Sequence, residues 1–220
     1  EDLHKKVYLE SLSLNKLKRF DLSIKRFLFL KTKNFTPKEF FFEFGQANYA
    51  LNNLDEARKA FGNSVRAKFQ IQSSLYFIAY ISQILEDYET AEINYQILLK
   101  DEKTKRSMRQ VALFQLTQVL IAKLENVKDK KKVLTYIKKR IIPQLNYAYR
   151  INRRSAVAKD IMKRKQGLEI KYGLNPLFLI NGKKLSPKPY SLGLSQSIKY
   201  DTNVTTSTDS LAILDTMKDS

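Results

Sequence analysis

The sequence predicts an all-α fold, a solenoid of helical hairpins that ends in a short non-helical C-terminal segment. Two observations lead to this class. Small and apolar residues recur with a period of 34 over the first half of the chain, and a fixed period of this length is typical of stacked two-helix repeats. The chain is also 43% hydrophobic, which is enough to bury a core despite a net charge of +18.

The composition excludes several kinds of functional site. The 220 residues contain no Cys and a single His, His4. Thiolate metal sites, disulfides and cysteine nucleophiles are therefore excluded, and a Ser-His-Asp triad or a multi-His metal site has little support. There is no Gly-rich phosphate loop, so we expect neither catalysis nor a cofactor. The longest mostly apolar run, residues 111–122, is shorter than the roughly 20 residues that a membrane helix needs.

Each predicted repeat pairs two antiparallel helices, and its columns of equivalent residues indicate how these helices pack. The columns are Ser11, Gly45 and Ala79 in the first helix, and in the second Phe20, Leu54 and Tyr88, then Asp21, Asp55 and Glu89, then Ser23, Ala57 and Ala91, then Phe27, Phe61 and Tyr95. Small residues allow the helices to approach closely, and the aromatic residue four positions later fills the groove on the same face. Acidic residues in the first turn complement the helix dipole. The columns predict repeats over residues 4–37, 38–71 and 72–105.

These columns resemble those of the tetratricopeptide repeat family. The second repeat matches the small-small-aromatic signature of the family with Gly45, Ala57 and Phe61, and the third repeat matches it at the equivalent positions. The first repeat departs, because Glu10 occupies a usually apolar position and Ser23 replaces Ala, so it is expected to pack loosely or to act as a cap. The resemblance implies a right-handed solenoid whose concave surface is lined by the first helix of each repeat.

The resemblance also implies a ligand groove on that surface. The inner-face positions of the family, carried onto this sequence, are Tyr8, Asn15 and Lys16 in the first repeat, Phe42, Gln46 and Tyr49 in the second, and Tyr76, Tyr80 and Gln83 in the third. A groove of aromatic and amide side chains suits an extended peptide, an amphipathic helix or a sugar chain. The alternative is that this surface packs against the closing helices of the same chain.

Residues 106–172 are predicted to form a degenerate repeat and basic closing helices, over residues 108–124, 128–150 and 155–172. Such helices cover the last apolar face of a solenoid, and Pro143 should bend or break the second of them. Residues 128–172 hold 15 basic and 3 acidic groups, and the predicted basic patch consists of Lys128, Lys130, Lys131, Lys132, Lys138, Lys139, Arg140, Arg153, Arg154, Lys163, Arg164 and Lys165.

The basic patch would attract phosphate, anionic lipid headgroups or an acidic polymer. No nucleic-acid-binding motif accompanies it, so sequence-specific recognition of nucleic acid is not expected. The alternative is a solvated face that keeps the protein soluble.

Residues 173–220 differ in character from the rest of the chain. Residues 190–200 alternate between apolar and small or polar side chains, with Tyr190 and Tyr200 at the two ends. A membrane β-strand needs about 9–11 residues with aromatic residues near both interfaces. Residues 192–204 resemble the first strand and loop of bacterial outer-membrane barrels, which implies a preceding periplasmic repeat domain. One strand cannot close a barrel, so this interpretation expects a longer protein; a soluble edge strand or a disordered tail is the alternative.

Together these features predict a non-catalytic periplasmic repeat scaffold of a didermal bacterium. It would bind a protein or polymer client, associate with the outer membrane and belong to a barrel protein for secretion or surface assembly. Two alternatives stand beside it: a soluble cytoplasmic adaptor for protein–protein interaction, and a basic scaffold that binds an anionic polymer or membrane.

Overall fold

The computed structural model describes residues 2–174 and the backbone of residues 179–180 and 183–184. In these ranges the helices are α1 (Asp2–Lys16), α2 (Phe20–Thr32), α3 (Phe40–Ala50), α4 (Leu54–Arg66), α5 (Ile71–Ile84), α6 (Tyr88–Lys100), α7 (Arg106–Glu125), α8 (Lys130–Tyr136), α9 (Ile142–Ile151) and α10 (Ala156–Tyr172), with a π-turn, Ile137–Ile141, between α8 and α9. Two short strands, β1 (Leu179–Ile180) and β2 (Lys183–Lys184), pair antiparallel. The predicted all-α class is confirmed, and consecutive helices pack as hairpins.

The described residues fall into two compact units, which separate between Thr104 and Lys105. The N-terminal unit contains α1 to α6, in which α1 packs on α2, α3 on α4 and α5 on α6. The C-terminal unit contains α7 to α10, in which α9 packs on both α7 and α10. None of the helices in residues 2–174 is both long enough and apolar enough to cross a bilayer.

The 34-residue period of the N-terminal unit is visible in its backbone. Lys18, Asn52 and Glu86, each between the two helices of a repeat, adopt left-handed φ angles of 57°, 60° and 59°. In each case the next amide donates to the carbonyl oxygen five residues earlier, at 2.8–2.9 Å, which satisfies a carbonyl group at the end of the helix. Asn34 and Lys68 adopt the same conformation after the second helix, with φ of 54° and 55°. The repeats therefore share turn geometry as well as residue columns.

The small residues in the first helix of each repeat are explained by the close approach of the second helix, as the sequence suggested. A Cβ atom on Gly45 would lie 2.9 Å from Cε1 of Phe61, closer than side chains tolerate. Phe61 is fully buried and stacks on Phe77, with ring centroids 4.5 Å apart and an interplanar angle of 4°. Because that ring is held on its other face, α3 can approach α4 at this level only with glycine at position 45.

The first repeat differs from the other two in having polar residues at some pattern positions, and these residues fit into the same kind of helix packing. Ser11 and Ser23 occupy the two columns of small residues, where Ser23 replaces the Ala of the other repeats, and both are fully buried. The Ser23 hydroxyl donates to the carbonyl oxygen of Ser11 at 2.9 Å. The buried hydroxyl of Ser23 therefore has a hydrogen-bond partner within the α1–α2 contact. Glu10 lies on the exposed side and pairs with Arg26 at 3.0 Å. The position that is apolar in the family therefore faces solvent here.

The C-terminal unit is held by buried amides in addition to apolar contacts. Gln110 on α7 is 1% exposed, and its Nε2 donates to the carbonyl oxygens of Ala148 at 3.0 Å and Asn152 at 2.8 Å. Gln144 on α9 donates back to the carbonyl oxygen of Leu113 at 3.3 Å. These bonds connect α7 to α9, and the two from Gln110 supply donors to carbonyl groups at the C-terminal end of α9, where helix carbonyl groups lack partners within the helix.

Pro143 distorts its helix without ending it. Proline has no amide hydrogen to donate to the carbonyl group four residues earlier, and the preceding turn is wound as a π-turn, in which the amide of Ile142 donates to the carbonyl oxygen of Ile137. The helical segment therefore runs through residues 130–151. The predicted distortion is confirmed, and the predicted end of α10 at Gly173 is confirmed by its left-handed φ of 60°.

Candidate binding site on the tyrosine face

The inner positions of the second and third repeats bring three tyrosines and a glutamine together. We call Tyr49, Tyr76, Tyr80 and Gln83 the tyrosine face. Tyr76 and Tyr80 lie one turn apart on α5 with nearly parallel rings, centroids 6.0 Å apart and an interplanar angle of 6°. Tyr49, from the end of α3, meets Tyr80 edge to face at 6.5 Å. Two helices thus present one continuous aromatic surface.

Buried residues behind the tyrosine face hold it in place. The ring of Tyr49 lies 5.4 Å from Phe77, which is 4% exposed. Tyr95 on α6 is fully buried, with its ring 6.1 Å from that of Tyr76. Its hydroxyl donates to Oε1 of Gln83 at 3.2 Å, which orients the amide of that side chain. The aromatic column that Tyr95 shares with Phe61 predicted a core residue, but the polar contact of Tyr95 had no signal in the sequence.

The tyrosine face is electrically neutral. Burial raises the pKa of the phenol groups of Tyr49, Tyr76 and Tyr80, and the neighbouring phenols add to the rise for Tyr49 and Tyr76. All three phenols therefore stay protonated at physiological pH and can donate hydrogen bonds. Each of these residues is half-buried, so each is partly accessible to solvent.

Two further residues predicted for the groove lie on α3. Gln46 is half-buried and lies three residues before Tyr49, on the same side of the helix. Phe42 requires a correction, because it is 5% exposed and packs in the core, with ring centroids 5.7 Å from Phe61 and 6.4 Å from Phe77. The sequence could not separate these two roles, since α3 carries aromatic residues on several sides.

The three groove residues predicted in the first repeat have other surroundings. The ring of Tyr8 contacts Phe27 and Phe35 at 6.3 and 6.4 Å, and burial, with smaller effects of Glu39 and Glu43, raises the pKa of its phenol. Asn15 and Lys16 behave differently from each other: Nδ2 of Asn15 donates to the carbonyl oxygen of Glu43 at 3.1 Å, and Lys16 is exposed. Asn15 thus joins α1 to α3 and serves packing.

The predicted basic patch is exposed along most of its length. Lys128, Lys130, Lys131, Lys132, Lys138, Lys139, Arg140, Arg153, Arg154 and Lys163 are all exposed. Arg164 and Lys165 require a correction, because both are half-buried. Lys165 forms an ion pair with Glu169 at 3.5 Å, and these side chains are only 20% and 15% exposed. Helical spacing turns them toward the protein, which a run of three consecutive basic residues does not reveal.

Comparison with known proteins gives no match: no protein-family model, curated protein or solved structure matches this chain. Its function is therefore inferred from the chemistry of its own surfaces. Two of these surfaces stand apart by composition, the neutral tyrosine face and the basic patch.

Proposed function

We propose that the chain is a non-catalytic helical-repeat scaffold of the tetratricopeptide type, which binds an extended segment of a client protein along the tyrosine face. The observation that carries this proposal is the parallel pair of Tyr76 and Tyr80, 6.0 Å apart and continued by Tyr49. Aromatic residues that are partly exposed and held rigidly by a core are typical of binding surfaces.

The chemistry of the face suits a peptide backbone with apolar side chains. Tyrosine rings offer large apolar contact areas, and neutral phenols can donate to peptide carbonyl groups. The amide of Gln46 provides both a donor and an acceptor, which match the alternating groups of an extended chain. Because Phe77 and Tyr95 already fix the rings, little side-chain entropy is lost on binding.

We also propose that this scaffold works in the periplasm at the outer membrane, as part of a protein for secretion or surface assembly. The support comes from the sequence: the Cys-free composition and the strand-like residues 190–200. Those residues lie outside the part of the chain that the structure describes. A cytoplasmic adaptor would use the same tyrosine face, so the proposal about client binding is independent of the proposal about location.

The test is a selection of peptides from a random library on the full chain, followed by affinity measurements with single variants. Tyr80→Ala should weaken binding of the selected peptides by about 10–30-fold, in the range of an interface hot spot. Tyr80→Phe keeps the ring and should cost less. The matched control is Tyr147→Ala, which removes an exposed tyrosine on α9 (57% exposed) and should leave affinity unchanged.

Two results would contradict the proposal. One is a set of selected peptides whose affinity survives both Tyr80→Ala and Tyr49→Ala while circular dichroism shows that the variants are folded. The other is a library that yields no peptide above background, with oligosaccharides binding instead in a manner that depends on Tyr80. The second result would assign the face to a sugar polymer.

A further inference from the structure

The helical segment of α8, the π-turn and α9 carries an unusual concentration of positive charge. Residues 130–151 contain seven Lys and Arg residues and no Asp or Glu, and all seven basic side chains are exposed. Within residues 2–174 the only ion pair made by these seven side chains joins Lys132 to Asp129, across 3.9 Å, and Lys132 remains 82% exposed. The charge of this segment is thus left to solvent and to whatever binds there.

The charges of this segment lie on the sides that face away from a buried apolar stripe. Val133, Ile137, Ile141 and Leu145 recur every four residues and are all buried. In a regular α-helix such a series would rotate by about 40° at each step. The π-turn has more residues per turn and offsets part of that rotation, so the apolar stripe stays against the protein.

The sides that face away from this stripe are therefore largely exposed along the segment. We call Lys130, Lys131, Lys132, Lys138, Lys139, Arg140 and Arg150 the basic ridge. At a rise of about 1.5 Å per residue, the segment that carries it is about 30 Å long. An exposed helical element of this length can bring several of its charges to a flat surface at the same time.

Large apolar and aromatic side chains are interspersed with the charges. Leu134 is 38% exposed, Tyr136 36% and Tyr147 57%. The exposed part of Leu134 gains nothing from contact with a phosphate backbone, which offers no apolar surface. Lys and Arg with exposed Leu and Tyr are typical of helices that lie in the interface of an anionic bilayer, where headgroups take the charges and the acyl boundary takes the apolar groups.

We propose that the basic ridge is a docking surface for a membrane that contains anionic phospholipids, with Leu134 and Tyr147 entering the headgroup region. This surface is separate from the tyrosine face, and its existence does not depend on the client-binding proposal. Each basic side chain near an anionic surface strengthens partitioning by about fivefold, so several acting together give measurable binding. The interaction weakens as salt rises, because the charges are exposed.

The test measures co-sedimentation of the full chain with phosphatidylcholine vesicles that contain phosphatidylglycerol, and with pure phosphatidylcholine vesicles. The variant Lys131→Glu/Lys138→Glu/Lys139→Glu should lower the partition coefficient on anionic vesicles by about 100-fold or more. The matched control, Lys6→Glu/Lys25→Glu/Lys103→Glu, makes the same change in net charge at exposed positions of the N-terminal unit and should change it by less than about threefold. Equal losses in the two variants, or no loss in either, would overturn the proposal.

A second variant distinguishes a membrane from other polyanions. Leu134→Ser/Tyr147→Ser keeps every charge and should weaken vesicle binding by about tenfold, because it removes the apolar contact. Binding to duplex DNA, measured in parallel, should not change with this variant. Undiminished vesicle binding would overturn the membrane assignment and leave the ridge as a general polyanion surface. Circular dichroism checks that each variant retains its helix content.

Discussion

In the N-terminal unit the helices are fitted together by shape, as where Gly45 leaves room for the ring of Phe61. In the C-terminal unit the contact between α7 and α9 depends on a buried amide, Gln110, which bonds two carbonyl groups of the facing helix. The first kind of contact can be repeated every 34 residues, because it needs only a small residue opposite an aromatic one. The second kind of contact depends on the position of Gln110 opposite the C-terminal end of α9, and it occurs once in the part of the chain that the structure describes. The difference shows that a periodic sequence repeats one kind of helix contact, whereas an aperiodic sequence uses contacts that occur once.

The two units also differ in their surfaces. Residues 1–127 hold 20 basic and 15 acidic groups, whereas residues 128–172 hold 15 and 3. The N-terminal unit presents neutral tyrosines, and the helices of the C-terminal unit present exposed lysines and arginines. These chemistries suit different partners, since a neutral aromatic face binds peptides and a basic ridge binds anionic surfaces.

The largest expected effect concerns the amide contact of the C-terminal unit. Gln110→Leu keeps the size of the side chain but removes both hydrogen bonds, and it leaves the carbonyl group of Ala148 buried without its donor. We expect the free energy of unfolding to fall by about 2–4 kcal/mol. Gln144→Leu, which removes a single longer bond of a half-buried side chain, should cost about 1 kcal/mol or less. Urea unfolding followed by circular dichroism measures both, and equal effects of the two variants would show that Gln110 has no special role.

A smaller effect tests the close approach of helices in the repeats. Gly45→Ala should destabilise the protein by about 1–3 kcal/mol, because the added methyl group overlaps the ring of Phe61. Gly62→Ala is the matched control on α4, since nothing lies within 4 Å of a Cβ atom placed there. It should stabilise by about 0.5–1 kcal/mol through helix propensity. If both variants raised the midpoint of urea unfolding, the packing explanation of the small column would be wrong.

The smallest effect tests the shared turn of the repeats. Lys18 holds a left-handed φ of 57°, which is strained for a residue with a Cβ atom. Lys18→Gly should raise the free energy of unfolding by about 0.5–1 kcal/mol, since glycine adopts this conformation without strain. Lys16→Gly, two residues earlier in the last turn of α1, should lower it by about 0.5–1 kcal/mol. Thermal unfolding of the pair, compared with the unsubstituted chain, gives the sign of each change, and a loss for Lys18→Gly would contradict the account.

The periodic features of the fold could be predicted from the sequence. α2, α4 and α6 begin at Phe20, Leu54 and Tyr88, the residues that head the aligned columns, because small, acidic and aromatic residues at fixed positions specify a helical hairpin. The left-handed turns could not be predicted, since Lys18 and Glu86 are not residue types that favour φ above zero. The repeat enforces that conformation by closing the same hydrogen bonds each time.

The candidate sites were predicted less completely. Phe42 and Tyr49 lie seven residues apart on α3, yet one is core and the other is half-buried at the surface. The sequence of α3 has little contrast between its faces, so periodicity cannot separate residues that contact the core from residues that contact a ligand. Charge composition located the basic patch, but only the packing of α10 shows that Lys165 turns inward to Glu169.

The central claim is that the tyrosine face and the basic ridge are separate binding surfaces. The most direct test is NMR of the full chain with ¹³C-labelled tyrosine rings, titrated first with a selected peptide and then with phosphatidylglycerol-containing nanodiscs. The peptide should shift the signals of Tyr49, Tyr76 and Tyr80 and leave Tyr147 unchanged. The nanodiscs should broaden Tyr136 and Tyr147 and leave Tyr80 unchanged. Both ligands acting on the same set of tyrosines would contradict the claim.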